Sequence, residues 1–448
     1  MLIRTMLKAR LQASFRIPTC WLLVKYWTEK ENFMIEQIQP YKIEGVLQAV
    51  ASKSYLQRAL AIAGLAMGPT FIRNYNASAD AIAAQNIISK LGAKVRGGSR
   101  LHIVPGKPDP SSEIIFDADE SGLSLRMFSF IAALYGRAIM MTGKYSLLAR
   151  PVEPLVEALL QCGIQVKTTN GALPLTICGP ISKNKIELDG SFSSHMLSGL
   201  LIAAPLLEHD TEISVRNLVS RPYIAMTLNI MRQFGVAIEN NNFRQFYVKG
   251  RQQYQGQEYS IEGDWSAAAN FLVGAAVSGK VEMTGLNQNS LQADMKIREI
   301  LVDFGAHVNV LNNFISVSKN EARPFKADLT DCPDLFPPVV VLAAAANGAS
   351  VLTGTQRLIH KESNRFKSLL AVFSKLGLKL EPQGNDLHVF GVGSLQGGEV
   401  DSFNDHRIAM CAAIAATLAN SEIKISNAEA VSKSYPDFFA DLRKVMAK

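Results

Sequence analysis

The feature that most constrains this 448-residue chain is a repeated pattern of amphipathic helix, single glycine and short β-like run. It occurs five times, at Lys90-Leu91-Gly92-Ala93-Lys94-Val95, Gln161-Cys162-Gly163-Ile164-Gln165-Val166, Gln233-Phe234-Gly235-Val236-Ala237-Ile238, Asp303-Phe304-Gly305-Ala306-His307-Val308 and Lys375-Leu376-Gly377-Leu378-Lys379-Leu380. The glycines at 92, 163, 235, 305 and 377 are 71, 72, 70 and 72 residues apart. Glycine suits that place because a helix ending in a left-handed residue can turn directly into a strand. A sixth helix is expected from Pro436 to about Lys448, and the chain ends where its strand should begin. Met34 to Leu47 is expected to supply that strand. The period is too long for a solenoid of single motifs. It predicts an α/β (α+β) fold of six β/α units, three to each of two lobes.

Length alone allows two or three domains with cores of their own. A content of 48% hydrophobic and 19% charged residues is that of an ordinary globular protein. The chain carries 46 Lys and Arg against 39 Asp and Glu, a net +7. The first 33 residues hold six of those cations and two of the acids, so the remainder has 40 against 37, or +3. That balance, with no Lys/Arg run, argues against a nucleic-acid partner. No apolar run approaches a membrane span; Val339 to Ala346 is typical. The five cysteines, Cys20, Cys162, Cys178, Cys332 and Cys411, are scattered without metal-ligand spacing, which predicts reduced thiols, no metal site and a cytoplasmic setting. Met1 to Phe33 is rich in basic residues before its first acid, Glu29. It reads as a disordered extension or the product of an upstream start, with the folded chain beginning near Met34.

Chemistry gathers at helix starts. Ser52-Lys53-Ser54-Tyr55-Leu56-Gln57-Arg58 leads into an alanine-rich buried helix, with Ser52 or Ser54 as its N-cap. Hydroxyl, ammonium, guanidinium and helix N-terminus together suit a phosphate or carboxylate, and equally read as a capped core helix with two solvated cations. Asp80 reads as a cap or a partner for the helix dipole. Glu120-Ser121-Gly122-Leu123-Ser124-Leu125-Arg126 opens another helix, where Gly122 permits close approach to the backbone and Arg126 reads as structural. Arg150-Pro151 precedes a helix from Val152 to Leu160, and an Arg at a positive dipole end calls for an anion. Asp189-Gly190-Ser191-Phe192-Ser193-Ser194-His195 and Ser220-Arg221-Pro222-Tyr223 open two more. In the second half the corresponding places are Pro333-Asp334, Lys361-Glu362-Ser363-Asn364-Arg365, Asn404-Asp405-His406-Arg407 and Lys433-Ser434-Tyr435-Pro436-Asp437. Singly each reads as a cap; together they describe a cation-lined cleft with carboxylates for acid and base work, fitted to small, highly anionic substrates.

In their order these motifs resemble those of the 5-enolpyruvylshikimate-3-phosphate synthase family of enolpyruvyl transferases, from about Met34 to the C-terminus. The matching runs are Ser-Lys-Ser-x-x-x-Arg, Asp-Gly-Ser-x-Ser-Ser, Glu262-Gly263-Asp264, Lys361-Glu362, Asn404-Asp405-His406-Arg407 and Lys433-x-Tyr-Pro-Asp. The resemblance implies lobes of residues 52–261 and of 34–51 with 262–448, joined by two crossover strands. It implies addition and elimination between phosphoenolpyruvate and the 5-hydroxyl of shikimate 3-phosphate, by a monomer needing no cofactor. Lys53, Ser54, Arg58, Ser193, Ser194, His195, Ser220, Tyr223, Asp334 and Lys361 would then hold shikimate 3-phosphate. Lys53, Gly122, Arg150, His195, Arg365, Arg407 and Lys433 would hold phosphoenolpyruvate. Asp334 would take the hydroxyl proton, and Glu362 or Lys433 would protonate the methylene carbon.

Four positions depart from the family pattern. Val50-Ala51 replaces Pro-Gly, which implies a stiffer or shifted hinge. His195 replaces Gln and is expected to add a pH dependence near neutrality. Asn364 replaces Asp and is expected to loosen the surroundings of Arg365. Glu120 stands where Asn is frequent. The sister transferase acting on UDP-N-acetylglucosamine would need a reactive cysteine before Arg150, and Gly143 to Ala149 has none. A degenerate homologue that binds anions without turnover is the other alternative.

Overall fold

The structure, a computed structural model, describes residues 34–98, 100–311 and 314–447. The expectations for Met1 to Phe33, Cys20 included, lie outside the described residues. From Ile35 onwards the chain is one compact unit containing two separate hydrophobic cores. One core is built between Ala51 and Ile261; the other joins Ile38–Ala49 to residues from Trp265 to Val445.

The second, third and fifth units run strand, helix, strand, helix, then a hairpin, while the first and fourth borrow their opening strand and the sixth has no hairpin. In the third, Lys185–Asp189 pairs in parallel with Thr211–Arg216 across the helix Ser194–Ala203. The helix Arg221–Gln233 follows, and Gln245–Val248 returns antiparallel to Thr211–Arg216 with Glu239–Asn241 outside it. Ile213 sits opposite Ile186 on one side and Phe246 on the other, all buried, so the register keeps one face of the sheet apolar. The five repeat glycines follow the second helices of their units with φ of 96°, 76°, 86°, 100° and 79°. The left-handed punctuation expected from the sequence is therefore present.

The two helices of a unit differ in composition for a physical reason. The first is buried on every side: all residues of Gly122–Ala132 and of His406–Ala415 are buried, most of them apolar. The second shows a single buried stripe, as in Ala79–Lys90 and Arg365–Lys375.

The N-terminal stretch Met34 to Leu47 does supply the sixth unit's missing strand, but through only three of its residues. These are Glu36–Ile38, antiparallel to Ile423–Ser426. Lys42–Gln48 instead opens the fourth unit, parallel to Lys280–Thr284. Pro40 between them has no N–H for a ladder, and the chain breaks there. The last helix also starts later than expected, at Phe438, and ends at Val445.

Two adjacent crossovers link the lobes. Ala51 and Gly263 form an antiparallel bridge, flanked by Ser52 N to Glu262 O at 2.8 Å and Asp264 N to Val50 O at 2.8 Å. Neither Ser52 nor Ser54 caps the first helix, Lys53–Leu65, through its side chain. Asp264 does so from the other crossover: Oδ2 accepts from Lys53 N at 3.0 Å while Oδ1 caps its own helix at Ala267 N, 2.9 Å. One carboxylate thus ties together the first helices of both lobes.

Candidate active site

Helix starts from both lobes meet on a cavity of about 470 Å³. Lys53, Ser54, Gly122, Arg150, Ser193, Ser194, His195, Ser220 and Tyr223 line it from one lobe, and Asp334, Lys361 and Glu362 from the other. The sequence-derived residues Arg58, Arg365, Arg407 and Lys433 lie behind these walls rather than on the surface of the cavity.

Asp334 is the centre of the second lobe's wall. It sits in a short turn ahead of the buried helix Phe336–Ala345, whose Pro337 and Pro338 occupy first-turn positions where no intrahelical donor is needed. Its Oδ1 accepts from Arg365 Nη1 at 2.7 Å and faces Lys361 Nζ at 3.7 Å; Oδ2 meets Arg407 Nη2 at 3.0 Å. Burial opposes ionisation of Asp334, but Arg407, Lys361 and Arg365 outweigh it and hold the carboxyl well below its usual range. Arg365 is fully buried and fully bonded, to Glu362 Oε2 at 2.5 Å and to Asp405 at 2.9 and 3.2 Å as well. It likewise keeps Glu362 ionised against the cost of burial.

The expected loosening by Asn364 is not seen. Asn364 caps the helix Arg365–Lys375 through Lys367 N at 3.2 Å and leaves the guanidinium to other partners. Asp405 is presented by two left-handed residues, Phe403 and Asn404, at φ 54° and 53°. That turn lets Asp405 brace Arg365 while capping the helix that carries Arg407.

The first lobe's wall is different. Arg58 is fully buried and donates to Thr227 Oγ1 at 2.8 Å, Ser54 O at 2.9 Å and Ser198 Oγ at 3.3 Å. Burial pushes its guanidinium down to about 10. Arg126 donates to Gly122 O at 3.1 Å and lies 5.1 Å above the Phe192 ring. Burial and the neighbouring Arg150 push it down to about 9. A Cβ on residue 122 would come within 2.6 Å of a nitrogen of both Arg126 and Arg150, so glycine is what leaves room for the pair. Arg150 has Nε and Nη2 buried without a hydrogen-bond partner. Lys53 is the exception, paired with Asp80 at 2.9 Å.

His195 lines the cavity with Nδ1 buried and unpartnered. Burial, then Arg126, Arg58 and Lys361, hold its pKa well below 6.5. The expected titration near neutrality is therefore corrected: the ring is neutral throughout that range. His406 is neutral for the same first reason, burial.

Sequence reasoning misjudged several residues. Arg126 read as structural and Asp80 as a cap, yet both line the cavity. Arg357 went unnoticed; it crosses the cleft to Ser220 Oγ at 3.1 Å and Ser191 O at 3.3 Å. Asp331 holds Ser220 N at 2.8 Å from the same side. Asp294 also went unnoticed, although Tyr223 donates its hydroxyl to it at 2.9 Å across the lobes. Arg126 could have been found from its place one turn beyond Gly122. Nothing local marks Asp294. Among the described residues no cluster of His, Cys, Asp and Glu could hold a metal ion, and no helix is long and apolar enough to cross a membrane.

This architecture of six strand–helix units closing on a cation-lined cleft is that of the enolpyruvyl transferases. It superposes on the EPSP synthase of Acinetobacter baumannii with a TM-score of 0.77 at 24% identity, covering 93% of this chain and 99% of that one. The enolpyruvyl transferase NikO of Streptomyces tendae follows at 0.74 and 16%, covering 92% and 97%. More specifically, the chain belongs to the family of EPSP synthase (3-phosphoshikimate 1-carboxyvinyltransferase), whose sequence model matches residues 38–442. The 3-phosphoshikimate 1-carboxyvinyltransferase of Pyrococcus abyssi is 38% identical over 93% of this chain and 98% of its own length. That of Clostridium novyi is 34% identical over 91% and 97%.

Proposed function

We propose that this cleft transfers the enolpyruvyl group of phosphoenolpyruvate to the 5-hydroxyl of shikimate 3-phosphate, the reaction of the family. The observation that carries the assignment of roles is the pairing of an ionised Asp334 among three cations with a facing wall whose Arg126 and Arg150 have no carboxylate within ion-pair distance among the described residues. One wall supplies a base; the other awaits anions.

In this reading residues 52–261 form one lobe, and 34–51 with 262–448 the other. Ser54, Arg58, Ser193, Ser194, His195, Ser220, Tyr223 and Lys361 hold shikimate 3-phosphate. Lys53, Gly122, Arg150, Arg365, Arg407 and Lys433 serve phosphoenolpyruvate. Asp334 accepts the 5-hydroxyl proton as that oxygen bonds to C2 of phosphoenolpyruvate, and Glu362 or Lys433 protonates C3. Glu362 is ionised in the empty cleft. The arrival of two polyanions raises its proton affinity, which prepares it to deliver a proton. The tetrahedral adduct then loses phosphate as C3 returns its proton to the group that took it from solvent and donated it, and the proton held by Asp334 leaves with the phosphate, so protons balance over the cycle. Excluding water from a cleft lined with fixed cations offsets the repulsion between the two substrates. The protein acts as a cytoplasmic monomer in this reading; its described cysteines are all free thiols.

A sugar-nucleotide acceptor finds no support. Cys162 is buried, and burial pushes its thiol up to about 12, so it offers no thiolate. The test is phosphate release by purified protein. It is expected only with shikimate 3-phosphate and phosphoenolpyruvate together. Release with UDP-N-acetylglucosamine in place of the shikimate would overturn the reading.

A further inference from the structure

Glu120 and Lys433 form an ion pair across the lobes, Oε1 to Nζ 2.9 Å, with side chains only 8% and 7% exposed. Glu120 precedes the N-cap Ser121 of the helix Gly122–Ala132, and Lys433 ends the turn Ala428–Lys433 in the other lobe. The pair is held from both sides. Glu120 Oε2 also accepts from Ser146 N at 3.1 Å and Asn404 Nδ2 at 3.2 Å, and Lys433 Nζ donates to Asn404 O at 2.5 Å. Neither side chain lines the cavity, although Gly122 two residues further on does. Lys433 is thus neutralised by the protein itself before any substrate arrives.

We propose that Glu120 is a positioning residue that competes with phosphoenolpyruvate for Lys433, clasping the lobes when the cleft is empty and releasing the lysine to the incoming anion. This rests on the enolpyruvyl-transfer reading above. The exchange is feasible because Glu120 is not stranded by it: Ser146 N and Asn404 Nδ2 remain as donors to the carboxylate. A buried carboxylate beside an anion site also makes the local potential less positive, so its charge opposes substrate twice, by occupying the cation and by repulsion. Neutralising it frees Lys433 and deepens the attraction.

The test measures Michaelis constants for both substrates in the wild type, Glu120→Gln and Glu120→Asp. Glu120→Gln is expected to lower KM for phosphoenolpyruvate roughly three- to tenfold, leaving that for shikimate 3-phosphate within about twofold. Glu120→Asp, which keeps the charge, is expected to stay near the wild-type value. If Glu120→Gln does not fold, Glu120→Asn is measured in its place with the same expectation. A KM for phosphoenolpyruvate that is unchanged or raised in the neutral variant overturns the clasp. A structural role alone would move both constants or neither. Wild-type protein without turnover would remove the transferase reading and the clasp together, whereas an active wild type with an unmoved constant removes only the clasp.

Discussion

Two arginines on each side of the cleft are treated in opposite ways, although Lys53, Lys361 and Arg357 run against the contrast. On the first lobe, Arg58 and Arg126 are buried against hydroxyls, backbone carbonyls and an aromatic ring, and burial pushes both guanidiniums down, to about 10 and about 9. On the second, burial acts on Arg365 and Arg407 too, yet their carboxylate partners win and both are pushed up. Asp405 leads for Arg365, and Asp334 for Arg407. A buried cation without a counter-charge is an unfinished electrostatic arrangement that a substrate anion completes. A cation already bonded to carboxylates does something else: it fixes those carboxylates in place and in their ionised form. In the proposed reading the first wall offers arginines with no carboxylate partner among the described residues, while the second, whose Lys361, Arg365, Arg407 and Lys433 also serve the substrates, holds the base.

The largest effect expected from this contrast is chemical. Asp334→Asn should reduce turnover by about 10²–10⁴ while calorimetry still detects binding of shikimate 3-phosphate, because the first wall is untouched. Turnover near the wild-type level would show that the base lies elsewhere.

Stability should separate the walls by sign. Arg365→Met takes the guanidinium from Asp405 and Glu362 in a buried site, and should cost about 3–5 kcal/mol in denaturant unfolding. Arg126→Met removes a buried cation that has no carboxylate partner among the described residues, and should leave the unliganded protein as stable or about 1 kcal/mol more so, while raising KM for an anionic substrate. Equal losses in the two variants would break the comparison.

The asymmetry was only half legible in the sequence. The repeat glycines told the architecture because a left-handed residue between helix and strand is a local requirement, visible at 92, 163, 235, 305 and 377 without knowing any contact. Cations at helix starts were visible for the same reason. Their partners were not. Whether Arg126 meets a carboxylate or a ring depends on Phe192, 66 positions away, and Lys433 meets Glu120 from the other lobe. Asp264 was visible as part of a motif, but its capping of the distant Lys53 was not. Pro40 could have warned that Met34 to Leu47 is two strands.

A third effect is smaller and depends on pH. Burial, followed by the like charge of Asp334, pushes Asp294 up to about 6, although Tyr223 and Ser266 donate to it and Arg407 lies nearby. A carboxyl raised above its unfolded value favours folding below that unfolded value, and the contribution is lost as pH rises through about 6. Asp294→Asn removes this dependence. The melting temperature of the variant relative to wild type should therefore improve between pH 5 and pH 7.5, by the equivalent of about 1–1.5 kcal/mol. A difference independent of pH would mean that Asp294 does not titrate in this range.

The smallest effect tests the first wall where the sequence misled. His195 invited a switch near neutrality because an unperturbed imidazole titrates there. In the structure, burial and then the cations Arg126, Arg58 and Lys361 make a protonated ring unfavourable, and only Asp334 opposes them. His195 therefore acts as a neutral polar group at the cavity surface, and His195→Gln exchanges one neutral hydrogen-bonding side chain for another. The Michaelis constants should change by no more than about tenfold, the worth of one hydrogen bond, with turnover altered less. The profiles of kcat/KM, which report the free enzyme, should run parallel from pH 6 to 8. A limb near 6.5 present in the wild type and absent from the glutamine variant would show that the ring does titrate. The first wall would then have to contain a counter-charge that the arginine contacts do not reveal, and its contrast with the second wall would fail at that residue.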